Sequence, residues 1–256
     1  MEPWNASQYL LYETERTQPA ADLAGHIRSD DPKEIIDIGC GPGNSTAVLA
    51  RRFPEAHILG VDNSEDMIKE AKKSHPLLDF IVMDASRELH MLRADFDVVF
   101  SNACIQWVPD HNKLIPDMIG LLRKSGVLAV QTPMNYSEPI HRIISDAVSS
   151  QKWKPYFFTA RIFHNLEPGA YFDILSRHAS DFTMWETVYM HRLKSRRDIL
   201  EWYRGTGLRP YLSALPEEKK EAFEKDIFEK ITEEYPLQIN GEVLFRFPRF
   251  FFTAVK

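Results

Sequence analysis

Five short apolar runs alternate with longer amphipathic segments between Lys33 and Pro133, and this alternation constrains the fold more than any other feature. The runs are rich in Ile, Val, Leu and Phe and lack polar alternation, as expected for strands that are covered on both faces. They are Glu34–Ile38, His57–Val61, Asp79–Val82, Phe96–Phe100 and Val127–Gln131. The segments between them predict helices over Asn44–Phe53, Ser64–Ser74 and His111–Lys124. Repeated strand–helix–strand units predict an α/β fold with a doubly wound, mostly parallel sheet, whose ligands bind beyond the carboxyl ends of the strands.

The composition is that of a globular protein and gives no reason to expect a nucleic-acid partner. The chain has 256 residues, of which 44% are hydrophobic and 27% are charged, with a formal net charge of -6. At this length we expect one domain over residues 1–256 rather than two independent ones. Because the net charge is negative and no run of Lys or Arg occurs, long-range electrostatics would not attract a polyanion.

The N-terminus and the cysteines indicate a cytoplasmic protein. Met1–Leu11 lacks the charged start and apolar core of a signal peptide, and no apolar stretch approaches the ~20 residues that cross a bilayer. Cys40 and Cys104 are too few for a disulfide framework and show no metal-ligand spacing. We therefore expect no membrane association and no metal site, and the sequence implies no protein partner.

The second half of the chain is dominated by aromatic residues. Of the 30 aromatic side chains, 21 lie after residue 150. Two long strands at the sheet edge are predicted over Phe182–Leu193 and Val243–Val255, so the predicted sheet has seven strands. A charged helix with a solvated face is predicted over Glu217–Glu234. Residues 150–235 are predicted to form a cap that includes the edge strand, and residues 243–256 the last strand. The aromatic residues of the cap either pack over the sheet or line a substrate pocket, and the two roles are compatible.

The first predicted strand ends in a glycine loop. Gly39, Gly41 and Gly43 occupy alternate positions, and the residues Asn44–Thr46 are predicted to cap the helix that follows. Glycine permits positive φ and lets the backbone approach a ligand closely. A dinucleotide-binding turn would place its third glycine at position 44, and a P-loop would continue with Gly-Lys-Ser/Thr, so neither motif fits.

Carboxylates follow three of the predicted strands. Asp37 ends the first strand, Asp62 closes the second, and Asp84 follows the third. None has an obvious basic partner nearby. An acid in the position of Asp62 can accept hydrogen bonds from both ribose hydroxyls. Met67, five residues later, could cover a purine, and a carboxylate after the third strand can accept from an exocyclic amino group. Together these acids suit a cationic, ribose-bearing ligand better than a pyrophosphate.

This pattern over residues 33–132 resembles the class I S-adenosylmethionine-dependent methyltransferases. The resemblance implies a Rossmann-like methyltransferase fold with S-adenosylmethionine as cofactor, a cofactor-binding core over residues 33–135 and a lid over residues 1–30. It implies that the glycine loop follows the methionine and ribose of the cofactor and that Asp62 binds the ribose. It further implies Met67 against adenine, Asp84 at the adenine amino group and Asn102 near the sulfonium. The predicted cofactor-binding residues are Tyr9, Asp37, Gly39, Cys40, Gly41, Gly43, Asp62, Asn63, Met67, Asp84, Ala85, Asn102 and Gln106.

Further strings, both inside and outside this core, resemble one branch of that superfamily, the trans-aconitate methyltransferases. Besides Trp4-Asn5 near the start, they include Gln106-Trp107, Pro109-Asp110-His111, Thr206–Pro210, Tyr235–Gln238 and Phe247-Pro248-Arg249. The resemblance is weakest over Gln151–Pro168. It implies methyl transfer to a carboxylate oxygen of a small polycarboxylic acid, which forms a monomethyl ester. The predicted substrate residues are Trp107, Tyr203, Arg209, Tyr235 and Arg249.

Such a reaction needs positioning and no catalytic side chain. A carboxylate with a pKa near ~4 is already ionised at neutral pH, so no general base is required. We accordingly predict no catalytic acid or base, and we expect His111 to cap a helix or to be exposed. Two alternatives remain open at this stage: a methyltransferase for another acceptor, such as a phenol, an amine or a different acid, and a protein that binds the cofactor without turnover.

Overall fold

Seven strands form one sheet in the order β3-β2-β1-β4-β5-β7-β6. The computed structural model describes residues 13–157 and 163–256, without the side chains of residues 13–16. Strands β1 to β5 pair in parallel, and β7 pairs antiparallel with β5. The strands are β1 (Glu34–Ile38), β2 (His57–Asp62), β3 (Asp79–Val82), β4 (Phe96–Asn102), β5 (Leu122–Pro133), β6 (Asp181–Leu193) and β7 (Val243–Val255). This topology confirms the predicted doubly wound, mostly parallel sheet.

Helices connect most of these strands. The described helices are α1 (Glu13–Gly25), α2 (Asn44–Arg52), α3 (Glu65–Ser74), α4 (His111–Gly120), α5 (Pro139–Ser149), α6 (Pro168–His178), α7 (Arg196–Arg204), α8 (Arg209–Ala214) and α9 (Glu217–Glu234). Short 3-10 turns lie at Leu89–Met91, Ile105–Trp107 and Lys154–Tyr156. Across the described segments, no helix combines the length and the apolar character that a membrane crossing demands.

The central strands are apolar because they are covered on both faces. In β1, Ile35, Ile36 and Ile38 are at most 1% exposed, and four consecutive residues are buried. The apolar runs located the strands to within one or two residues, with β5 as the exception. The expectation that every run is covered on both faces is wrong for the edge strand β3, in which Phe80 is buried but Ile81 and Val82 are exposed.

The helix predicted over residues 111–124 is too long. Helix α4 ends at Gly120, and β5 begins at Leu122. Leu122 is buried and pairs with Phe96, and the register shifts between Phe96 and Val98. The long-range pairing of Leu122 therefore overrides the local helical pattern.

The described residues divide into two compact units. The sheet unit comprises residues 13–133, 163–187 and 249–256, and the helical unit comprises residues 134–157 and 188–248. The core of the helical unit includes Trp153, Trp202, Phe223 and Phe245, and the indole Nε1 of Trp153 donates to Asp226 at 2.7 Å. The predicted boundaries of the cofactor core, the lid and the cap stay predictions, and residues 1–12 and 158–162 lie outside the described residues.

The first residue of β2 makes the stability of the sheet unit dependent on pH. The imidazole of His57 bridges two carboxylates, with Nδ1 2.9 Å from Glu34 and Nε2 2.9 Å from Asp79. The bond to Glu34, followed by that to Asp79, raises the pKa of His57 above its usual value. The stabilisation is therefore complete below about pH 6.5 and is lost as pH rises through the folded-state pKa.

We expect the melting temperature of wild type, relative to that of His57→Gln, to fall as the pH rises above about 6.5 and through the raised pKa of His57. Thermal unfolding of both proteins across this range measures the difference. Because the imidazole is half exposed, the effect will be small. Parallel profiles for the two proteins would contradict the assignment.

Candidate active site

The glycine loop after β1 adopts left-handed backbone conformations at all three glycines. The φ angles of Gly39, Gly41 and Gly43 are 76°, 54° and 93°. The amides of Gly39 and Cys40 both donate to the carbonyl of Val61, at 2.7 and 3.0 Å, which ties the loop to the end of β2. Left-handed φ values favour glycine because a Cβ would crowd the carbonyl oxygen that follows it.

Gly39 and Gly41 differ in what surrounds them. A Cβ added at Gly39 would lie 2.1 Å from the Sγ of Cys104, so the position is closed by packing. A Cβ added at Gly41 would meet no atom of the described residues within 4 Å. The backbone of Gly41 therefore faces open space, where a ligand can approach it.

Asp37 is buried beneath this loop, where it accepts hydrogen bonds from two hydroxyls. Ser45 Oγ and Thr46 Oγ1 donate to Asp37 Oδ2 at 2.6 and 2.7 Å. Asp37 Oδ1 is buried and has no hydrogen-bond partner among the described residues. Burial, only partly offset by the two hydroxyls, raises the pKa of Asp37 to about 6. The carboxylate fixes the loop to α2 and keeps one acceptor oxygen available.

The prediction that residues 44–46 cap α2 is wrong. The N-cap is Gly43, and no side chain caps the helix. The hydroxyls of Ser45 and Thr46 bond the buried carboxylate of Asp37 because an ionised acceptor forms stronger hydrogen bonds than a neutral group.

Asp62 holds both the glycine loop and the start of α3. Its Oδ2 accepts from Gly41 N at 3.0 Å, and its Oδ1 accepts from Ser64 N at 2.9 Å. Each oxygen retains capacity for a further donor. Burial raises the pKa of Asp62, and the two backbone donors oppose that shift. Next to it, Asn63 is exposed, and Met67 is buried in the first turn of α3.

Asp84 lies at the edge of the site, and its side chain is more accessible to solvent than that of Asp37. Its Oδ1 accepts from the amide and the hydroxyl of Ser86, at 2.9 and 2.6 Å, and the hydroxyl bond is the main reason why its pKa is lowered. Arg87 Nε lies 3.9 Å from Asp84 Oδ2, so the expectation that none of the acids has a basic neighbour is wrong. The adjacent Ala85 is half-buried.

The residues after β4 form a tight turn with one strained position. Ala103 has a φ of 54°, although it is not a glycine. Gln106 stabilises this conformation, because its Nε2 donates to Ala103 O at 2.7 Å and its Oε1 accepts from Thr132 at 3.2 Å. Asn102 Oδ1 is buried without a hydrogen-bond partner among the described residues. The side chain of Gln106 is thus engaged with the protein. The side-chain amide oxygen of Asn102, in contrast, can accept a hydrogen bond.

Cys40 contributes its backbone to the loop, because its side chain points into the core. The thiol belongs to a buried cluster with Ile68, Ala71 and Phe80. Burial raises the pKa of the Cys40 thiol, and it raises that of Cys104 to about 12.

The predicted substrate residues divide between the two units. In the sheet unit, Trp107 is 39% exposed and its ring lies 5.0 Å from that of Phe163, whereas Arg249 is 4% exposed and donates to Gln131 Oε1 at 3.3 Å. Arg209, half-buried at the start of α8, belongs to the helical unit.

Tyr203 and Tyr235 also lie in the helical unit, and both are buried. The Tyr203 hydroxyl lies 3.1 Å from both Asn135 Nδ2 and His141 Nε2, and the Tyr235 hydroxyl accepts from Ile140 N at 3.1 Å. Their role towards substrate stays a prediction, as does that of Tyr9, which lies outside the described residues.

The expectation that His111 caps a helix or is exposed is wrong. Its side chain is 1% exposed, and Asp110 occupies the N-cap of α4. The imidazole contacts Tyr171, Ile105 and Val108. Local sequence gave no signal for this burial, because Tyr171 is 60 residues away along the chain.

Neither Thr132 nor Asn165 is among the site residues predicted from the sequence. Thr132 Oγ1 lies 3.0 Å from Asn165 Oδ1, and Asn165 Nδ2 donates to Pro133 O at 2.7 Å. The position of Thr132 at the carboxyl end of a buried strand was the available signal for it.

The residues around the loop fit S-adenosylmethionine. Asp37 and Asn102 present buried oxygens without partners among the described residues, Asp62 can accept further bonds, and the space at Gly41 is open. A set of acceptors of this kind suits ribose hydroxyls, an ammonium group and a sulfonium, and it would repel a pyrophosphate. Among the described residues, no group of three His, Cys, Asp or Glu side chains could hold a metal ion.

Comparisons with known proteins agree with this chemistry. A family model described as a methyltransferase domain matches residues 29–185. A protein of Rhodopseudomonas palustris (strain BisB18) named trans-aconitate 2-methyltransferase is 43% identical over 258 residues, which cover 100% of both chains. The protein of the same name from Enterobacter sp. (strain 638) is 43% identical over 99% of this chain and 98% of its own.

Solved structures share the fold. YcgJ from Bacillus subtilis aligns with a TM-score of 0.62 at 13% identity, over 93% of this chain and 98% of its own. Phosphoethanolamine N-methyltransferase 2 from Haemonchus contortus, in complex with S-adenosyl-L-methionine, aligns with a TM-score of 0.52 at 20% identity, over 93% of this chain and 52% of its own.

The cofactor and the family follow from these observations together. The methyltransferase domain and the acceptor-rich loop identify S-adenosylmethionine as the cofactor. With relatives at 43% identity that align from end to end, the chain belongs to the trans-aconitate 2-methyltransferase family and is an S-adenosylmethionine-dependent methyltransferase.

Proposed function

We propose that this enzyme transfers a methyl group to a carboxylate oxygen of trans-aconitate or of a closely related small polycarboxylic acid, forming a monomethyl ester. The observation that carries the proposal is the full-length similarity to relatives named trans-aconitate 2-methyltransferase. The proposal includes near relatives of trans-aconitate because the resemblance is weaker over residues 151–168, in the predicted cap.

The chain contributes binding, orientation and exclusion of water to this reaction. S-adenosylmethionine supplies an activated methyl group, and the acceptor carboxylate is ionised at neutral pH without help from a base. Holding the reacting groups in line and excluding water can supply roughly 7–11 kcal/mol of the barrier reduction. Both ring nitrogens of His111 are engaged with protein groups, which agrees with a reaction that uses no histidine base.

A polycarboxylate must be bound by a protein whose net charge is -6, so local cations are required. Two separate candidates for this role are Arg249 in the sheet unit and Arg209 in the helical unit, because a guanidinium can form two parallel hydrogen bonds with one carboxylate. Gln131, next to Arg249, carries a buried Nε2 that has no hydrogen-bond partner among the described residues and can donate to an anion. Trp107 in the sheet unit, and Tyr203 and Tyr235 in the helical unit, are the other candidate substrate residues.

An acceptor screen tests the proposed function. The protein is incubated with methyl-labelled S-adenosylmethionine and, separately, with trans-aconitate, cis-aconitate, citrate, isocitrate, a phenol and an amine. We expect base-labile label on trans-aconitate above the other acids. Label that resists base and appears only with the phenol or the amine would contradict the proposal, as would cofactor binding without any methylated product.

Substitution of the two arginines should impair acceptor binding selectively. We expect Arg209→Ala and Arg249→Lys to raise the acceptor KM about 10- to 100-fold, because one charge-assisted pair is worth about 1.5–3 kcal/mol. The dissociation constant for S-adenosylmethionine should stay within about twofold. Arg51→Ala, at an exposed position in α2, is the control and should match wild type. An unchanged acceptor KM would remove the substituted arginine from the site.

We also propose that the enzyme acts in the cytoplasm. Its two cysteines are free thiols, which a reducing compartment preserves.

A further inference from the structure

The imidazole of His111 is fully engaged inside the sheet unit. Its Nδ1 lies 2.6 Å from the hydroxyl of Tyr171, and its Nε2 lies 2.8 Å from Ile105 O and 3.0 Å from Val108 O. Because carbonyl oxygens only accept, the proton must be on Nε2, and Nδ1 then accepts from the Tyr171 hydroxyl. One neutral tautomer therefore satisfies all three contacts.

These bonds fix the turn that follows β4. The 3-10 turn Ile105–Trp107 carries Gln106 and Trp107, and the imidazole binds the carbonyls at both of its ends. His164 N also donates to Gln106 O at 3.0 Å, which joins the turn to the segment that precedes α6.

Tyr171 provides the rigid support for this arrangement. Its side chain is 0% exposed, and its ring lies 5.5 Å from that of Phe250 and 5.6 Å from that of Phe252. Its hydroxyl also accepts from Leu166 N at 3.4 Å. The hydroxyl is therefore fixed by the core and directs its proton towards Nδ1 of His111.

We propose that His111 and Tyr171 form a positioning pair that holds the turn bearing Gln106 and Trp107 in the geometry required for methyl transfer. The pair acts through the turn and has no acid–base role, since both ring nitrogens are occupied. This inference rests on the proposed function, because Trp107 belongs to the proposed substrate set and Gln106 to the predicted cofactor set.

The pair requires a neutral imidazole. Protonation would place a second N–H opposite the Tyr171 hydroxyl, whose own proton would lose its acceptor. Burial lowers the pKa of His111, the carbonyls of Ile105 and Val108 oppose this shift, and the nearby His164 adds to it. Asp110 is the facing carboxylate and opposes it weakly. Acidification through that pKa should therefore loosen the turn and lower kcat.

The pH profile of kcat, measured with both substrates saturating, tests the pair. Tyr171→Phe removes the hydrogen bond that favours the neutral ring, so we expect the acid limb to move up by about half to one pH unit. His111→Gln can still donate to the two carbonyls but does not titrate, so its kcat should lose the part of the acid limb that His111 causes and should fall less than that of His111→Phe. The titration of Asp37 is common to all the variants. For His111→Phe we expect kcat to fall about 10-fold or more, with the S-adenosylmethionine dissociation constant within about twofold of wild type.

Ile174→Val is the control for a general loss of stability. Ile174 is buried in the same helix as Tyr171 but carries no polar group. It should lower the melting temperature without changing the pH profile. If wild type methylates a carboxylate and both His111→Gln and Tyr171→Phe keep the wild-type acid limb, the inference is wrong while the proposed function stands. If wild type binds S-adenosylmethionine but methylates no acceptor, the proposed function fails and this inference fails with it.

Discussion

Gly39→Ala should destabilise the protein by about 2–4 kcal/mol, the largest stability effect expected of any substitution in the glycine loop. The new Cβ would lie 2.1 Å from Cys104 Sγ and 2.3 Å from Cys104 Cβ, and the φ of 76° would add strain. Rotation of the Cys104 side chain could move Sγ but not Cβ, so the Cβ contact cannot relax without moving the backbone after β1 or after β4. Denaturant unfolding monitored by circular dichroism measures the loss.

Gly41→Ala should affect ligand binding without preventing folding. Its φ of 54° costs about 1–2 kcal/mol, but the Cβ meets no atom within 4 Å in the part of the chain that the structure describes. We expect the variant to fold and to bind S-adenosylhomocysteine about 10- to 100-fold more weakly in calorimetry, because the methyl group occupies the space in which the ligand approaches the backbone. Gly169→Ala, in a helix with open space around it, is the control and should bind normally. Wild-type affinity in Gly41→Ala would remove the loop from the cofactor site.

Asp62→Ala should weaken cofactor binding about 100- to 1000-fold, the largest binding effect that the structure predicts. The substitution removes the proposed acceptor for two ribose hydroxyls and also the bond that holds Gly41 N at 3.0 Å. Asp62→Asn, which keeps one acceptor oxygen, should lose less. Asp66→Ala, exposed in the first turn of α3, is the matched control. Calorimetric titration with S-adenosylmethionine measures all three, and equal affinities for wild type and Asp62→Ala would refute the assignment.

The sequence predicted those features whose causes are local. The strands were visible because burial on both faces requires continuous apolar runs, as in β1 and β4. The loop was visible because left-handed conformations at three alternate positions require glycine. Asp62 could be placed because a residue at the end of a parallel strand must lie at the carboxyl edge of the sheet.

The remaining features depend on partners that are distant in sequence. The hydroxyls of Ser45 and Thr46 resemble helix caps until the buried carboxylate of Asp37 is placed beneath them. His111 follows a Pro-Asp pair, which is typical of an exposed helix start, and only Tyr171 in another helix explains its burial. The bond between the Gln106 side chain and Thr132, 26 residues away, was likewise not visible in the sequence, and the predicted role of Gln106 towards the cofactor stays a prediction.

The packing of Cys104 against Gly39 determines how the enzyme responds to electrophiles and oxidants. A thiol whose pKa is about 12 is almost entirely protonated at neutral pH, and the protonated form is a poor nucleophile. Cys104 is nevertheless half-buried rather than fully enclosed, so alkylating reagents and peroxides should modify it slowly in the native protein. Because its thiol packs against the backbone of Gly39, a cofactor that binds the glycine loop should slow this modification further.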